Sequence, residues 1–308
     1  MSVGDFMKAL FVVNPVAGKG KALEIIKSFE PFIRNEISYQ IEITKYKGQA
    51  TEIVRSYTSR EDYIVFSVGG DGTLNEVVNG IVGTKSSLAI IPAGSGNDFI
   101  RSVYEPHTIE ELLIELIKGT DYPIDVIEIG KKHFLNIASV GLDADIVYNA
   151  SRYKKLRFVK GDLAYIISLF KSIFGKKGIQ AKVTIDGKEI CNQDILLLAV
   201  ANGSFYGGGI PIMPIAKVND ALADICLVRE VRLRKLIKVL PSVFRAQHIH
   251  AKEVEVYHGK EIKIESETLC RLNIDGEITT AQEIDIKLIP QGVNIRLPRR
   301  NHLIKVIQ

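Results

Sequence analysis

The ten residues Ser67–Glu76, SVGGDGTLNE, close an apolar run, Asp62–Val68 (DYIVFSV), and open a segment in which Leu74, Val77, Val78 and Ile81 recur. The run reads as a buried strand. The four apolar positions fall at i, i+3, i+4 and i+7, which is one face of a helix. A strand that turns this tightly into a helix belongs in a parallel α/β sheet. Thr73-Leu-Asn-Glu76 fits a capping box, with Thr73 as N-cap and Glu76 at N3. Gly69, Gly70 and Gly72 then sit just before a helix N-terminus, where unpaired N–H groups and the helix dipole favour anions. Asp71 stands among them with a charge that repels phosphate. Two readings account for it: a turn former, or a ligand of a divalent cation shared with phosphate oxygens.

The same grammar extends outward. Lys8–Val13 reads as a buried strand and runs into Asn14-Pro-Val-Ala-Gly-Lys-Gly20. A helical pattern follows and is predicted to end near Pro31. Tyr39–Thr44 alternates as a strand, and Gln49–Tyr57 reads as a helix. Leu88–Ile91 is a short strand leading into Pro92-Ala-Gly-Ser-Gly-Asn-Asp98, a second glycine loop with an aspartate. Helical patterns cover Asp98–Val103 and Ile109–Ile117. This alternation predicts a parallel sheet with helices on both faces and a ligand site at the carboxyl ends of the strands. After about residue 130 strand patterns become denser: His133–Ser139, Ala181–Ile185, Ile195–Ala201, Ala223–Arg229, Glu253–Tyr257, Glu261–Glu265, Leu269–Ile274 and Ile284–Ile289. The expected organisation is an α/β domain over 1–130, to which 292–308 returns through a strand at Val293–Leu297. A mostly antiparallel β-sandwich follows over 131–291, interrupted by helical insertions near 160–174 and 231–247.

Composition narrows the class. The chain of 308 residues is 46% hydrophobic and 25% charged, with a net charge of +4, an ordinary globular balance that gives no general case for nucleic acid. Cys191, Cys226 and Cys270 are scattered and lie in apolar stretches, so they read as buried free thiols suited to a reducing cytoplasm. The N-terminus lacks a signal-peptide pattern, and no apolar run approaches the ~20 residues of a membrane span.

Neither glycine loop is a standard nucleotide motif. Gly18-Lys19-Gly20-Lys21 lacks the Ser or Thr of a Walker loop, and Gly94-Ser-Gly-Asn-Asp-Phe99 lacks the third glycine of a dinucleotide fingerprint. Taken with Asn202-Gly-Ser-Phe-Tyr-Gly-Gly-Gly209 and Asp275-Gly-Glu277, however, the loops resemble the diacylglycerol-kinase-type lipid kinase family, close to its soluble bacterial members. Gly-Gly-Asp-Gly-Thr alone is also shared with NAD kinases and phosphofructokinases. The resemblance implies a nucleotide-binding N-terminal domain with lipid in the cleft. It implies that Asn14, Pro15, Val16, Ala17, Gly18, Thr44, Gly69, Gly70, Asp71, Gly72, Thr73, Leu74, Asn75 and Ser95 contact ATP. Asp71 and Asp98 would organise a catalytic Mg²⁺, and Glu277 would be general base on the lipid hydroxyl. Family members carry a structural Mg²⁺ site in an Asp-Asp-Gly-x-Leu-x-Asp segment. Here that stretch is Lys217-Val-Asn-Asp-Ala-Leu-Ala-Asp224, in which Asn219 replaces an Asp and Ala221 the Gly. The implied ligands are Asp220 and the carbonyls of Lys217 and Leu222. An alanine there is a concern if the position needs positive φ.

Between Arg152 and Lys177 eight basic residues are interleaved with Tyr165, Ile166, Leu169, Phe170, Ile173 and Phe174, and Arg232–Leu240 has similar character. Such segments suit an anionic membrane surface, here the inner leaflet approached from the cytoplasm. They equally suit helices packing an apolar face and solvating a basic one. A homodimer stays open. The expected activity is ATP- and Mg²⁺-dependent phosphorylation of diacylglycerol or a related lipid alcohol. The rival readings are a non-catalytic lipid- or nucleotide-binding protein on the same scaffold, or an NAD-kinase-like enzyme.

Overall fold

The computed structural model describes residues 8–142, 144, 178–229 and 233–299. Four strands build the first half: β1 (Lys8–Val13), β2 (Ser38–Ile43), β3 (Tyr63–Gly69) and β4 (Ser87–Pro92). All pair in parallel, in the order β2-β1-β3-β4. Every residue of β3 is buried, as befits a strand with neighbours on both sides and helices on both faces. Phe11 stacks on Phe66 across β1 and β3 at 4.4 Å between ring centroids. The connecting helices are α1 (Lys21–Glu36), α2 (Gln49–Thr58), α3 (Asp71–Ile81), α4 (Ile100–Val103) and α5 (Ile109–Ile117).

Helix α1 does not end near Pro31 but runs one and a half turns beyond it. The proline costs the helix a hydrogen bond, yet it lies on the exposed face, and Ile33 just beyond it is fully buried. Packing of that side chain outweighs the local break.

The second half is β-rich: β5 (Thr120–Ile129), β6 (Lys132–Phe134), β7 (Ile137–Gly141), β8 (Ile179–Ile185), β9 (Lys188–Ala201), β10 (Ala223–Arg229), β11 (Val254–Gly259), β12 (Glu261–Ile274) and β13 (Glu277–Leu297). One described helix, α6 (Leu233–Val243), interrupts it. Two long strands serve both layers of the sandwich. The first part of β9 pairs with β8 and its end with β7, and β12 does the same. Strand β5, absent from the sequence reading, pairs antiparallel along β13 from Ile129↔Ile286 to Thr120↔Leu297. Its start, Thr120-Asp121-Tyr122-Pro123, is mostly exposed and carries no strand pattern of its own, so the pairing with β13 is what defines it.

Strand β13 joins the two halves. It pairs with β12 over its first part, and its end, Asn294 and Ile295, lies parallel to Ser87 and Leu88 of β4. The expected strands Ile284–Ile289 and Val293–Leu297 are thus one element with a bulge at Gln291, where φ is +53°. Val293, Ile295 and Leu297 are buried in the core of the parallel sheet. The basic stretch 152–177, the insertion near 160–174 and the residues 300–308 lie outside the described residues. Within α6, Lys235 reaches Glu253 at 3.5 Å and Leu240 packs on the sandwich. No helix among the described residues is long and apolar enough to cross a membrane.

Helices α2 and α3 pack closely at Gly80, where an added Cβ would stand 2.7 Å from Val54 Cβ and 3.0 Å from the Thr51 carbonyl. Gly80→Ala should therefore destabilise the fold by about 1–3 kcal/mol through overpacking. A lowered urea midpoint with an unchanged m-value is the expected result.

Candidate active site

The carboxyl ends of all four parallel strands open into one cavity of about 730 Å³. After β1 comes Asn14–Gly18, after β2 Thr44–Lys47, after β3 Gly70–Thr73, and after β4 Gly94–Gly96; Glu277 closes the far side. In sheet order β2-β1-β3-β4 the chain reverses direction between β1 and β3, which is where open α/β sheets hold their ligands.

The loops touch, backbone against backbone. A Cβ on Gly18, whose φ is +58°, would lie 2.1 Å from the Ala93 carbonyl oxygen, and one on Gly94 would lie 2.5 Å from Gly70 Cα. Gly69 accepts from the amides of Ala93 and Gly94 through its carbonyl.

The capping-box expectation fails here. Helix α3 begins at Asp71 with Gly70 as N-cap, and no side chain caps it. Thr73 Oγ1 instead accepts from Asn14 Nδ2 at 3.0 Å, tying the β1 loop to the β3 loop. Glu76 accepts from the amides of Gly48 and Ala50, at 2.8 and 3.2 Å, and so caps the neighbouring helix α2. The N–H groups at the start of α3 are left facing the cavity without intrahelical acceptors.

Asp71 is held by the other glycine loop. Its Oδ2 accepts from the Asn97 amide and its Oδ1 from the Asp98 amide, both at 2.8 Å. Asn97 adopts φ +52°, and its own side chain closes the loop on Gly94. Asp98 repeats the device one step on. Its buried carboxylate accepts from Gly208 at 3.0 Å and Gly209 at 2.6 Å, in the glycine turn of the sandwich. Burial pushes the Asp98 pKa up, and the two amides and Arg101 partly counter it.

Glu277 is presented by a two-residue hairpin. Asp275 and Gly276 have φ of +46° and +90°, the handedness of a tight turn between twisted strands. The Asp275 carboxylate turns inward, accepting from Ile137 N at 3.0 Å and from Asn75 Nδ2 at 3.4 Å. Asn75 also reaches the His133 carbonyl at 3.3 Å. Loss of hydration pushes the Asp275 pKa up to about 7. Glu277 itself meets Lys47 Nζ, with Lys132 Nζ at 3.5 Å. Lys47 above all, with Lys132, holds its carboxyl below the usual carboxylate range against partial burial.

Of the residues implied by sequence, Asn14, Pro15, Val16, Ala17, Gly18, Thr44, Gly70, Asp71, Gly72, Thr73, Ser95 and Glu277 line the cavity. Four do not. Leu74 packs in the core, Gly69 ends a buried strand, Asn75 holds the hairpin turn, and Asp98 sits behind the second loop. Lys45, Tyr46, Lys47 and Glu76 line it unforeseen. The signal was available for the first three, because they follow a parallel strand just as the glycine loops do.

The 217–224 stretch lies apart. Asp220 is exposed and accepts from Leu222 N at 3.2 Å, and Lys217 is also exposed. Ala221 adopts φ +60°, the left-handed region that glycine would occupy freely, and its amide donates to Asp125. Buried Asp224 receives His258 Nδ1 at 2.7 Å, while its second oxygen has no partner. Burial pushes Asp224 up, with Asp220 adding to the effect. Among the described residues no three His, Cys, Asp or Glu side chains converge to hold a metal ion.

Comparison with known proteins places this architecture. Residues 8–129 match the diacylglycerol kinase catalytic domain, and residues 136–297 match the YegS C-terminal NAD kinase beta sandwich-like domain. The chain is 27% identical over 279 residues to a diacylglycerol kinase of Bacillus subtilis, covering 88% of this chain and 89% of the relative. It is 29% identical over 300 residues to a diacylglycerol kinase of Staphylococcus epidermidis, covering 95% and 92%. A crystal structure of a diacylglycerol kinase from Bacillus anthracis superposes with a TM-score of 0.71 at 26% identity, covering 95% and 97%. Yeast NADH kinase shares the fold, with a TM-score of 0.53 at 12% identity over 96% of this chain and 84% of the other.

Asp275 gives the site a pH signature. Its native pKa of about 7 lies above the ~3.9 of an unfolded aspartate, so the folded state binds the proton more tightly. Its contribution to stability is full below about pH 4 and is lost as pH rises towards 7. Asp275→Asn should gain stability relative to the parent between about pH 4.5 and 7.5, as read from urea midpoints, and the gain should level off above that.

Proposed function

Because the chain belongs to the diacylglycerol-kinase-type family of lipid kinases, we propose that it transfers the γ-phosphoryl group of ATP to the hydroxyl of diacylglycerol, giving phosphatidate. The observation that carries this reading is the two-sided cavity: amide-lined glycine loops on the parallel-sheet side, and the Glu277 carboxylate opposite them.

The N–H groups of Gly72 and Thr73, at the start of α3, and the loop Gly94–Gly96 would take the phosphate oxygens, aided by the helix dipole. Asn14–Gly18 and Thr44 would flank the rest of the nucleotide. Glu277 accepts the proton of the acceptor hydroxyl while that oxygen bonds to the γ-phosphorus and the bond to the β-phosphate oxygen breaks, leaving ADP. Glu277 is ionised at neutral pH and so can take that proton, while the lysines that lower its pKa also weaken it as a base.

Asp71 fits a cation carried in by the nucleotide. Both its oxygens already accept an amide, yet each keeps lone pairs toward the cavity, and Mg²⁺ commonly shares one or two carboxylates with substrate phosphates and water. When bound, Mg²⁺ neutralises phosphate charge. Asp98 would act behind it, fixing the loop that fixes Asp71. A lipid acceptor places the working enzyme at an anionic membrane surface, which we assign to the inner leaflet. The Asp220 carboxylate and the unpartnered oxygen of Asp224 fit a second, structural cation, with the carbonyls of Lys217 and Leu222 completing its oxygen donors.

Phosphate transfer from labelled ATP to a panel of lipid alcohols in anionic mixed micelles, with and without Mg²⁺ and with NAD as a soluble acceptor, tests the assignment. Glu277→Gln should lose about 10²- to 10⁴-fold in kcat while keeping its thermal transition. Full activity in that variant, or preferential labelling of NAD, would overturn the reading. For the second cation, Mg²⁺ should raise the Tm of the parent protein and leave that of Asp220→Ala unmoved. Equal shifts in both remove Asp220 from the ligand set.

A further inference from the structure

Lys47 stands where none of the glycine-loop chemistry requires it. It ends the loop after β2 and lines the phosphate side of the cavity, yet its ammonium pairs with Glu277, which begins β13 on the opposite side. Lys132, from β6, approaches the other oxygen of the same carboxylate at 3.5 Å. The pair therefore spans the mouth of the cavity, joining the parallel sheet to the sandwich. Lys47 is 79% exposed, so it is not a packing residue.

The charges around Glu277 come from every side. Lys47 and Lys132 are the cations in contact with it. Glu76 of α3 acts on Lys47, Asp71 lines the same cavity, and Asp275 is turned inward in the same hairpin. A triphosphate entering this space adds several negative charges near Glu277, and nearby negative charge favours the protonated carboxyl.

Building on the reading of Glu277 as general base, we propose that Lys47 is a positioning residue that clamps Glu277 across the cavity mouth and shields it from the nucleotide's phosphates. The base then stays aimed at the acceptor when both substrates are bound. Lys132, on β6, supports the same carboxylate. Lys47 contacts the base itself, so its effect on transfer is carried through Glu277.

The test is a carboxyl titration. The Glu277 side-chain ¹³C resonance, assigned by its loss in Glu277→Gln, is followed against pH in the full-length protein, with and without a non-hydrolysable ATP analogue. In Lys47→Met the midpoint should rise by about half to one pH unit, a modest figure because the pair is solvent-exposed. The analogue should raise it further in Lys47→Met than in the parent. Lys47→Arg should restore both values, and kcat/KM for the lipid should fall about tenfold in Lys47→Met and recover in Lys47→Arg. Coincident midpoints in parent and Lys47→Met, in both ligand states, overturn the proposal. Activity in Glu277→Gln would instead remove the general-base reading, and this inference with it. An inactive Glu277→Gln beside an unmoved Lys47→Met titration would remove the inference alone.

Discussion

Two carboxylates that accept backbone amides hold this structure's chemistry together. Asp71, at the start of α3, binds the amides of Asn97 and Asp98, and Asp98 binds those of Gly208 and Gly209. Each is a charge-assisted bond, worth roughly 1.5–3 kcal/mol where neither partner is solvated. The relay runs from the β3 turn to the β4 turn to the glycine turn of the sandwich, and it fixes three loops that have almost no side chains of their own to pack. It also explains why an acidic residue sits in a loop shaped for anions. The aspartate is an anion bound by the amides of a neighbouring loop.

Around that relay the fold separates two duties. The parallel sheet supplies amides, helix N-termini and close backbone approach, which suit phosphate. The sandwich supplies a carboxylate on a rigid hairpin. Strand β13 connects them, because its first residue is Glu277 and its last residues are buried in the core of the parallel sheet. A carboxylate at one end of a 21-residue strand anchored at the other has little freedom to drift from the glycine loops. Asn75 adds a second tie, since its amide links α3 to the Asp275 turn.

The electrostatics follow the same division. Burial raises Asp98 and Asp275, whose contacts are amide groups, while Glu277 alone among them is lowered, because its contacts are ammonium groups.

Strands β1, β3 and β4 were legible in sequence because a buried parallel strand must be an unbroken apolar run, β2 because a half-buried edge strand alternates, and the glycine loops because only glycine permits backbones to approach as Gly18 and Ala93 do. The helix face of Leu74, Val77, Val78 and Ile81 was legible for the same reason: burial imposes a period. What stayed hidden depends on partners distant in the chain. Strand β5 is defined by β13, some 160 residues on, and helix α1 survives Pro31 because Ile33 finds a core. Thr73-Leu-Asn-Glu76 offered two polar side chains to its own helix, but tertiary neighbours claimed both: Asn14 took Thr73, and the bare N-terminus of α2 took Glu76. Lys47 carries no motif, and its meeting with Glu277, 230 positions away, exists only once β13 has crossed between the two halves. Local sequence thus set which backbone shapes were possible and which residue types could bind phosphate. The folded chain decided which polar groups meet, because a hydrogen bond or ion pair goes to whichever partner the packing brings within reach.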